Sequence, residues 1–384
     1  MPLHSADDEN SARERGPGPL VTPALFAEWR TPRFGTSNPE RLTNPVWEWL
    51  VRSELSAYAA SQHFGLESGE CREPGWSFAR FGRSTTVLAD GRTVHIAGEH
   101  EDAYDRDFYI YNDVVVRRAD GSIEIFGYPR DAFPPTDFHS ATEVGDRIVI
   151  IGSLGYPAER IVGTTQVAEL DLNTLAITSR QTSGESPGWI HRHSAALTDQ
   201  GDAIVISRGL VETGDARASG FRDNGDDWRL DLGSWSWRRL TKRNWRQWQL
   251  TRADRRANHL WRVRSLWLFA GKRWAKEHRE SMEAMISREV DAVRAAYGAD
   301  PDLDVFAALF VPPVAHRSLP MSGDELGVHR IDIAGVVVRY VESPTSITLV
   351  VEGELPDETA ATLVNDLREK LSTIEHAPYE AREV

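Results

Sequence analysis

A mainly β fold is what the sequence predicts, built from a repeated strand unit and flanked by a helical segment and a small α+β module. Three observations predict it. Between Trp76 and Thr241, short β-branched runs alternate with Gly, Asp and Pro turns. Within that region a glycine closing an apolar run recurs at Gly98, Gly152 and Gly209, which is a spacing of 54 and then 57 residues. On either side, apolar residues step by three and four, the period of a helix.

Residues 1–23 carry Asp7-Asp8-Glu9, Arg13-Glu14-Arg15 and Gly16-Pro17-Gly18-Pro19, the composition of a tail ending in a linker. Residues 24–75 form an N-terminal helical segment. Its helix is predicted at about 44–64, with Asn44 as cap, Pro45 at the first position, and Trp47, Leu50, Val51, Leu55 and Tyr58 on one face.

Strands follow at Thr85–Leu88, Thr93–Ile96, Asp113–Val116 and Ile123–Phe126, with hairpin turns at Asp90-Gly91 and Asp120-Gly121. Three segments then align. Pro74-Gly75-Trp76, Arg83-Ser84-Thr85 and Val94–Gly98 match Pro134-Pro135, His139-Ser140-Ala141 and Ile148–Gly152. Both match Pro187-Gly188-Trp189, His193-Ser194-Ala195 and Ile204–Gly209. The run Glu169-Leu170-Asp171-Leu172 likewise parallels Arg229-Leu230-Asp231-Leu232, each followed by a turn and a further strand.

This pattern resembles the kelch repeat family. In that family a blade runs from an Arg-x-x-His-Ser-like start, through an apolar strand ending in a glycine doublet, to a Leu-Asp-Leu strand and a Trp strand. Here the doublet is degenerate, as Ala97-Gly98, Ile151-Gly152 and Arg208-Gly209, and the Trp is clear only at Trp237. The resemblance implies a short or incomplete kelch-like β-propeller over residues 76–271. In such a fold each sheet covers its neighbour's apolar face. Propellers have 4–8 blades, so a fourth unit is sought at Asn258–Val263 and Ser265–Gly271.

Beyond Gly271, Trp274, His278, Met282, Met285, Ile286 and Val290 predict a connecting helix over 272–298, ended by Gly298. Residues 299–384 read as a C-terminal α+β domain. It has a strand at Asp304–Val311, β runs at 329–342 and 346–352, a helix from Pro356 to about Glu375 and a last strand near Tyr379.

The 384 residues carry a net charge of −14, and 40% hydrophobic against 27% charged residues describes a globular chain rather than a disordered one. Cys71 is the one cysteine, so no internal disulfide forms and a reducing compartment is expected. Met1–Gly18 has no apolar core of a secretory signal, and no apolar run reaches membrane-spanning length. A cytoplasmic protein with no membrane association is expected.

Three clusters bear on chemistry. Glu99 to Asp107 holds five carboxylates and His100 directly after an apolar strand. Glu99, His100 and Asp102 are the candidate metal ligands, with Asp107 a further ligand or base. His139 and His193 occupy the same place in successive repeats, which predicts a structural bond to a neighbouring sheet, and Arg83 takes that place in the first. The stretch 238–279 carries fourteen basic residues against Asp254 and Glu277. Arg243, Arg246, Arg255 and Arg256 are interleaved there with Trp245 and Trp248. Basic and aromatic groups so mixed hold phosphates and stack bases, or else pack against acidic surface within the chain. No zincin, nucleophile-elbow or phosphate-loop motif occurs.

The function expected is that of a non-enzymatic protein-interaction scaffold, without a cofactor. It would present the loops after each marker glycine to a protein partner, through Glu99, His100, Asp102, Asp107, Tyr156, Arg160, Glu212 and Asp226. Two alternatives stand beside it: a metal-dependent enzyme with an acidic and histidine site at the propeller mouth, and nucleic-acid or polyanion binding through 238–279.

Overall fold

The computed structural model describes residues 20–66, 74–100, 108–214, 220–258, 261, 279–297, 308–320 and 327–384. The chain divides into two compact units, Met1–Glu212 with Asp226–Thr241, and Thr213–Gly225 with Lys242–Val384. It is mainly β, with several antiparallel sheets and few helices. Among the described residues no helix is long and apolar enough to cross a membrane.

The first unit opens with three short helices. Thr22 caps α1 (Pro23–Trp29), and Asn44 caps α2 (Pro45–Ser53) by accepting from the Val46 and Trp47 N–H groups. The single helix expected over 44–64 is two helices. Glu54 turns left-handed at φ 56° and ends α2, and Ser56 caps a new helix, α3 (Ala57–His63). Helical spacing persists across the break, so the sequence pattern does not mark it. Val46, Trp47, Leu50 and Val51 are buried against the first sheet, where Trp47 stacks on Trp76 with centroids 5.0 Å apart.

Three antiparallel meanders follow. The first is β2 (Ser84–Val87), β3 (Thr93–His100), β4 (Tyr109–Arg117) and β5 (Ile123–Gly127), with β1 (Glu40–Arg41) added outside β5. The second is β6 (Ser140–Val144), β7 (Arg147–Ile151), β8 (Val167–Asp171) and β9 (Ile177–Ser179). Between second and third lie β10 (Ser183–Gly184) and β11 (Ile190–His191). The third meander is β12 (Ser194–Leu197), β13 (Ala203–Ser207), β16 (Trp228–Asp231) and β17 (Ser236–Arg239), with β10 outside β17. Between β13 and β16 run β14 (Leu210–Glu212), which pairs with β11, and β15 (Phe221–Asp223), which belongs to the second unit.

The meanders stack in sequence because the first and second are apolar on both faces and the third on one. Val94, Ile96, Val114 and Val116 of the first meet Ile148, Ile150 and Leu170 of the second. Val149, Ile151 and Val167 of the second meet Ile204, Ile206, Trp228, Leu230 and Trp237 of the third.

Equivalent polar bonds tie the starts of β2, β6 and β12 together. Ser84 Oγ lies 2.8 Å from His139 Nε2, and Ser140 Oγ lies 2.8 Å from His193 Nε2. Beside these rungs runs a backbone chain: Phe138 N donates to Gly82 O and Arg192 N to Phe138 O, each at 2.8 Å. Gly82, Phe138 and Arg192 are all left-handed there. The repeated histidines are thus inter-sheet ties, the role their repetition predicts. The aligned Leu-Asp-Leu runs also match in detail. Asp171 accepts from Asn173 N and Thr174 N, and Asp231 from Gly233 N and Ser234 N.

The marker glycines have a steric reason. Gly152 has φ 74°, and a β-carbon there would run into the Ile190 carbonyl oxygen and come within 2.9 Å of His193 Cε1. Gly152→Ala should therefore cost about 1–3 kcal/mol through forced displacement of the inter-sheet tie. A urea midpoint within error of the parent would show that the contact yields freely.

The second unit is a sheet ordered β19 (Arg317–Ser318), β20 (Val328–Ile333), β21 (Val336–Glu342), β22 (Ser346–Glu352), β18 (Trp245–Arg252) and β23 (Tyr379–Glu383). Helix α5 (Asp357–Ile374) buries Leu363, Leu367 and Leu371 against it, and Val290 of α4 (Arg279–Tyr297) packs on the same core. Gln247 and Gln249 mimic backbone, bonding Asp223 N, Asp223 O and Phe221 O and so fixing β15.

Two expectations differ from this arrangement. Trp245–Arg252, read with the repeats, pairs instead with β22 and β23, and Asn258 bonds Ser343 O, Pro344 O and Tyr379 in the same unit. The rest of the fourth repeat sought at 258–271 lies outside the described residues, save Trp261. A strand over 304–311 is not formed at Ala308–Phe310, which turn so that Leu309 and Phe310 enter the core.

Candidate functional site

The polar groups of the first unit converge where the marker-glycine loops leave the sheets. Glu99 follows Gly98 on β3, and Asp137 precedes the left-handed Phe138 at the start of β6. The Asp137 carboxylate accepts from Gly155 N at 2.6 Å, and Ser153 Oγ lies 3.3 Å from it. Burial pushes the Asp137 carboxyl above its ordinary range, against hydrogen bonds from Gly155, Glu99 and Ser153 and the Arg160 charge. Asp137 Oδ2 is buried with no hydrogen-bond partner among the described residues.

Arg192 follows at the start of the third meander. Its guanidinium lies 3.7 Å from the Phe138 ring centroid. Burial lowers its pKa, while the Glu99 and Asp137 charges oppose that shift. His191, buried on β11, is held down at about 3 by burial and by the Arg192 and Arg160 charges, so it is neutral at physiological pH.

The loop after Gly152 is tied on two sides. Arg160 donates to Leu154 O, to Gly155 O and to Glu212 Oε2, the last at 3.2 Å. Tyr156 Oη accepts from Ile110 N at 2.9 Å, and the Trp189 indole donates to Leu154 O at 3.1 Å. Past this anchorage Ile161 and Val162 are left 61% and 53% exposed, in a turn closed by Thr164 N to Ile161 O.

The structure thus brings Glu99, Tyr156, Arg160 and Glu212 to one end of the first unit. Asp102 and Asp107 lie outside the described residues. Asp226 is placed otherwise: it is buried and bonded to Arg239 and Thr241, so it fastens the third meander's outer strand. Asp137, Ser153 and Arg192 were not singled out in the sequence. The repeat alignment could have found them, because Asp137-Phe138 and His191-Arg192 fill corresponding places before His139 and His193.

Two of the metal candidates, Glu99 and His100, fall among the described residues. Glu99 and His100 are consecutive on a regular part of β3, paired with Ile110 and Tyr109, so their side chains leave opposite faces. Among the described residues no group of three His, Cys, Asp or Glu is placed to hold a metal ion.

Within the second unit, some described members of the basic stretch are paired with carboxylates. Arg246 pairs with Asp357 at 2.7 Å and Glu383 at 2.9 Å and stacks over Trp248, and Arg252 pairs with Asp254 and Glu375. Trp248 is a core residue, 8% exposed, and Trp245 packs on Gly225. Trp248, buried and covered by Arg246, offers no free face of the kind base stacking needs. Arg243 donates to Gly225 O, while Arg255 and Arg256 are exposed. Arg239, in the same stretch but in the first unit, pairs with Asp226 and Glu185.

No family model matches the chain, and no curated protein matches it. Among solved structures, one titled "Structure of YjhT" is similar at 14% identity, covering 42% of this chain and 55% of that one with a TM-score of 0.32. A fungal alcohol oxidase of the AA5 family in complex with copper is similar at 11% identity, covering 44% of each chain with a TM-score of 0.29. The chain spans about half the length of these two structures, and likeness at this level leaves its fold to be read from its own strands.

Proposed function

We propose that the chain is a non-enzymatic, kelch-like repeat protein, a propeller-type arc of three sheets that docks a protein partner on the marker-glycine end. One observation carries this reading: the loop after Gly152 is anchored by Arg160 and Tyr156, yet presents Ile161 and Val162 to solvent. Buried anchors beneath an exposed apolar tip reduce the ordering cost of binding. Phe81, 43% exposed, bridges Glu99 through its backbone and adds apolar surface beside it. Arg192 and Glu99 supply charge of both signs for register.

The test is recovery of interacting proteins from the native host with three forms of the chain. Ile161→Asp/Val162→Asp should lose a specific partner by about tenfold or more, the scale of an apolar anchor. Val87→Asp, at a 72% exposed position on β2, should retain it. Equal recovery by all three forms contradicts the reading.

A further inference from the structure

Three histidines lie where the third meander meets the root of the loop after Gly152. His193 makes most of the contacts. Its Nε2 lies 2.8 Å from Ser140 Oγ, and it packs against two marker glycines. A β-carbon on Gly152 would come within 2.9 Å of His193 Cε1, and one on Gly209 within 2.8 Å of the His193 β-carbon. His139 repeats the bond, to Ser84 at 2.8 Å. The Nδ1 atoms of both rings are buried with no hydrogen-bond partner. His191 is buried on β11, edge-on to Phe138 with ring centroids 6.5 Å apart.

The docking loop is fastened at the same place. Ser153 N donates to Ile190 O at 3.0 Å, and the Trp189 indole donates to Leu154 O at 3.1 Å. Leu154 N donates to Asp137 O and Arg192 N to Phe138 O. Residues 189–193 therefore cannot leave the second meander without releasing the root of the loop.

A second proton has no place on these rings while the junction is closed. An imidazolium donates from both nitrogens. Whichever tautomer the neutral rings hold, protonated His139 and His193 would each carry a buried Nδ1–H with no acceptor. The surrounding charges act in the same sense. His193 faces His139 and His191, and Arg192 and Arg160 also face His191. Among the described residues no carboxylate shifts any of the three rings. Burial first, then these charges, hold His139 and His191 at about 3, and burial alone holds His193 at about 4. Asp137, bonded to Gly155 N at the same root, is raised by burial and so titrates in the opposite sense. Protons thus bind where the junction is open and the rings are solvated. At pH 5 opening gains about 30-fold for each ring it exposes.

We infer that His139, His191 and His193 form an acid-operated latch beneath the docking loop. In acid the rings take up protons as the third meander parts from the root of the loop, and the docking end gives up its protein partner. This regulation rests on the docking reading above.

Amide hydrogen exchange of the full-length chain tests the latch with no partner present. Read by mass spectrometry at pH 7.5 and pH 5 and corrected for intrinsic rates, segments 150–156 and 189–194 should open about 30-fold more at pH 5, or beyond. Segments 110–117 of the first meander and 347–351 of the second unit should keep their protection. His193→Gln should lower the gain by about 30-fold, the share of one ring. Should that variant fail to fold, the contrast between segments of the parent carries the test. Equal opening at both pH values, the same gain in His193→Gln as in the parent, or opening of 110–117 together with 150–156 overturns the latch. Partner retention is read separately. A partner held at pH 7.5 should leave the parent at pH 5 and stay on His193→Gln, and one that stays on the parent overturns the regulation. No partner at pH 7.5 contradicts the docking reading instead, and exchange alone then decides the latch.

Discussion

Asp113→Ala is expected to cost the first unit about 3–5 kcal/mol, the scale for breaking a buried ion pair from one side. Asp113 lies on β4 and accepts from the Trp76 indole at 2.6 Å and from both terminal nitrogens of Arg80. The Arg80 side chain is 1% exposed and lies 3.5 Å from the Tyr111 ring centroid. Removing the carboxylate leaves the guanidinium charge buried without a counter-ion, bonded only to Ser77 O and Ala97 O, and the indole N–H without an acceptor. Asp113→Asn keeps the volume and one acceptor, and should cost less. Combining Arg80→Met with Asp113→Leu should cost less than the two single changes together, because no buried charge remains. Urea unfolding checks all five. A loss below about 1 kcal/mol for Asp113→Ala would mean that water reaches the pair.

Acid should weaken the same unit well above the pH at which its carboxylates titrate. Burial holds His95, His139 and His191 at about 3 and His193 at about 4, against an ordinary 6.5. Each binds its proton in the unfolded chain before it does in the folded one. The stability they contribute is therefore complete above pH 6.5 and is lost as the pH falls from 6.5 toward 3–4. At pH 5 each would forfeit up to about 2 kcal/mol, and the four together up to about 8 kcal/mol. Carboxylates held low, such as Glu40 and Asp231 at about 2, contribute their loss only at lower pH. Asp137 acts oppositely, since its raised pKa favours folding as the pH falls. Urea midpoints from pH 7.5 to 5 should fall steeply, and less steeply in His139→Gln/His193→Gln. A flat profile would contradict neutral buried rings.

What the sequence makes legible here is whatever repeats or is local. Asn44-Pro45 marks a helix start through cap chemistry confined to four residues. The Leu-Asp-Leu runs and marker glycines announce equivalent turns because identical local contacts require identical residues. His139 and His193 can be read as ties because only an inter-sheet role explains one histidine per repeat. The remainder depends on distant partners. Trp245–Arg252 has the pattern of any strand, and its neighbours lie about a hundred residues later, at Ser346–Glu352 and Tyr379–Glu383. Asp226 resembles a surface carboxylate until Arg239 is seen beside it. Asp137 and Arg192 carry no motif, and their significance comes only from the left-handed turns that bring them beside Glu99.

Of the expected site, Glu99, Tyr156, Arg160 and Glu212 were accessible because each follows a marker glycine. The metal set was read from composition alone, and strand alternation separates its first two members.

The central claim is that successive sheets are joined by equivalent bonds at the starts of β2, β6 and β12. Double-mutant cycles on Ser84 with His139 and on Ser140 with His193 test it most directly. The stacked arrangement predicts a coupling of about 1 kcal/mol in each cycle, the net value of one buried hydrogen bond. Additive effects in both cycles would mean that the rings do not bridge neighbouring sheets, and the common end to which the loops are assigned would no longer stand.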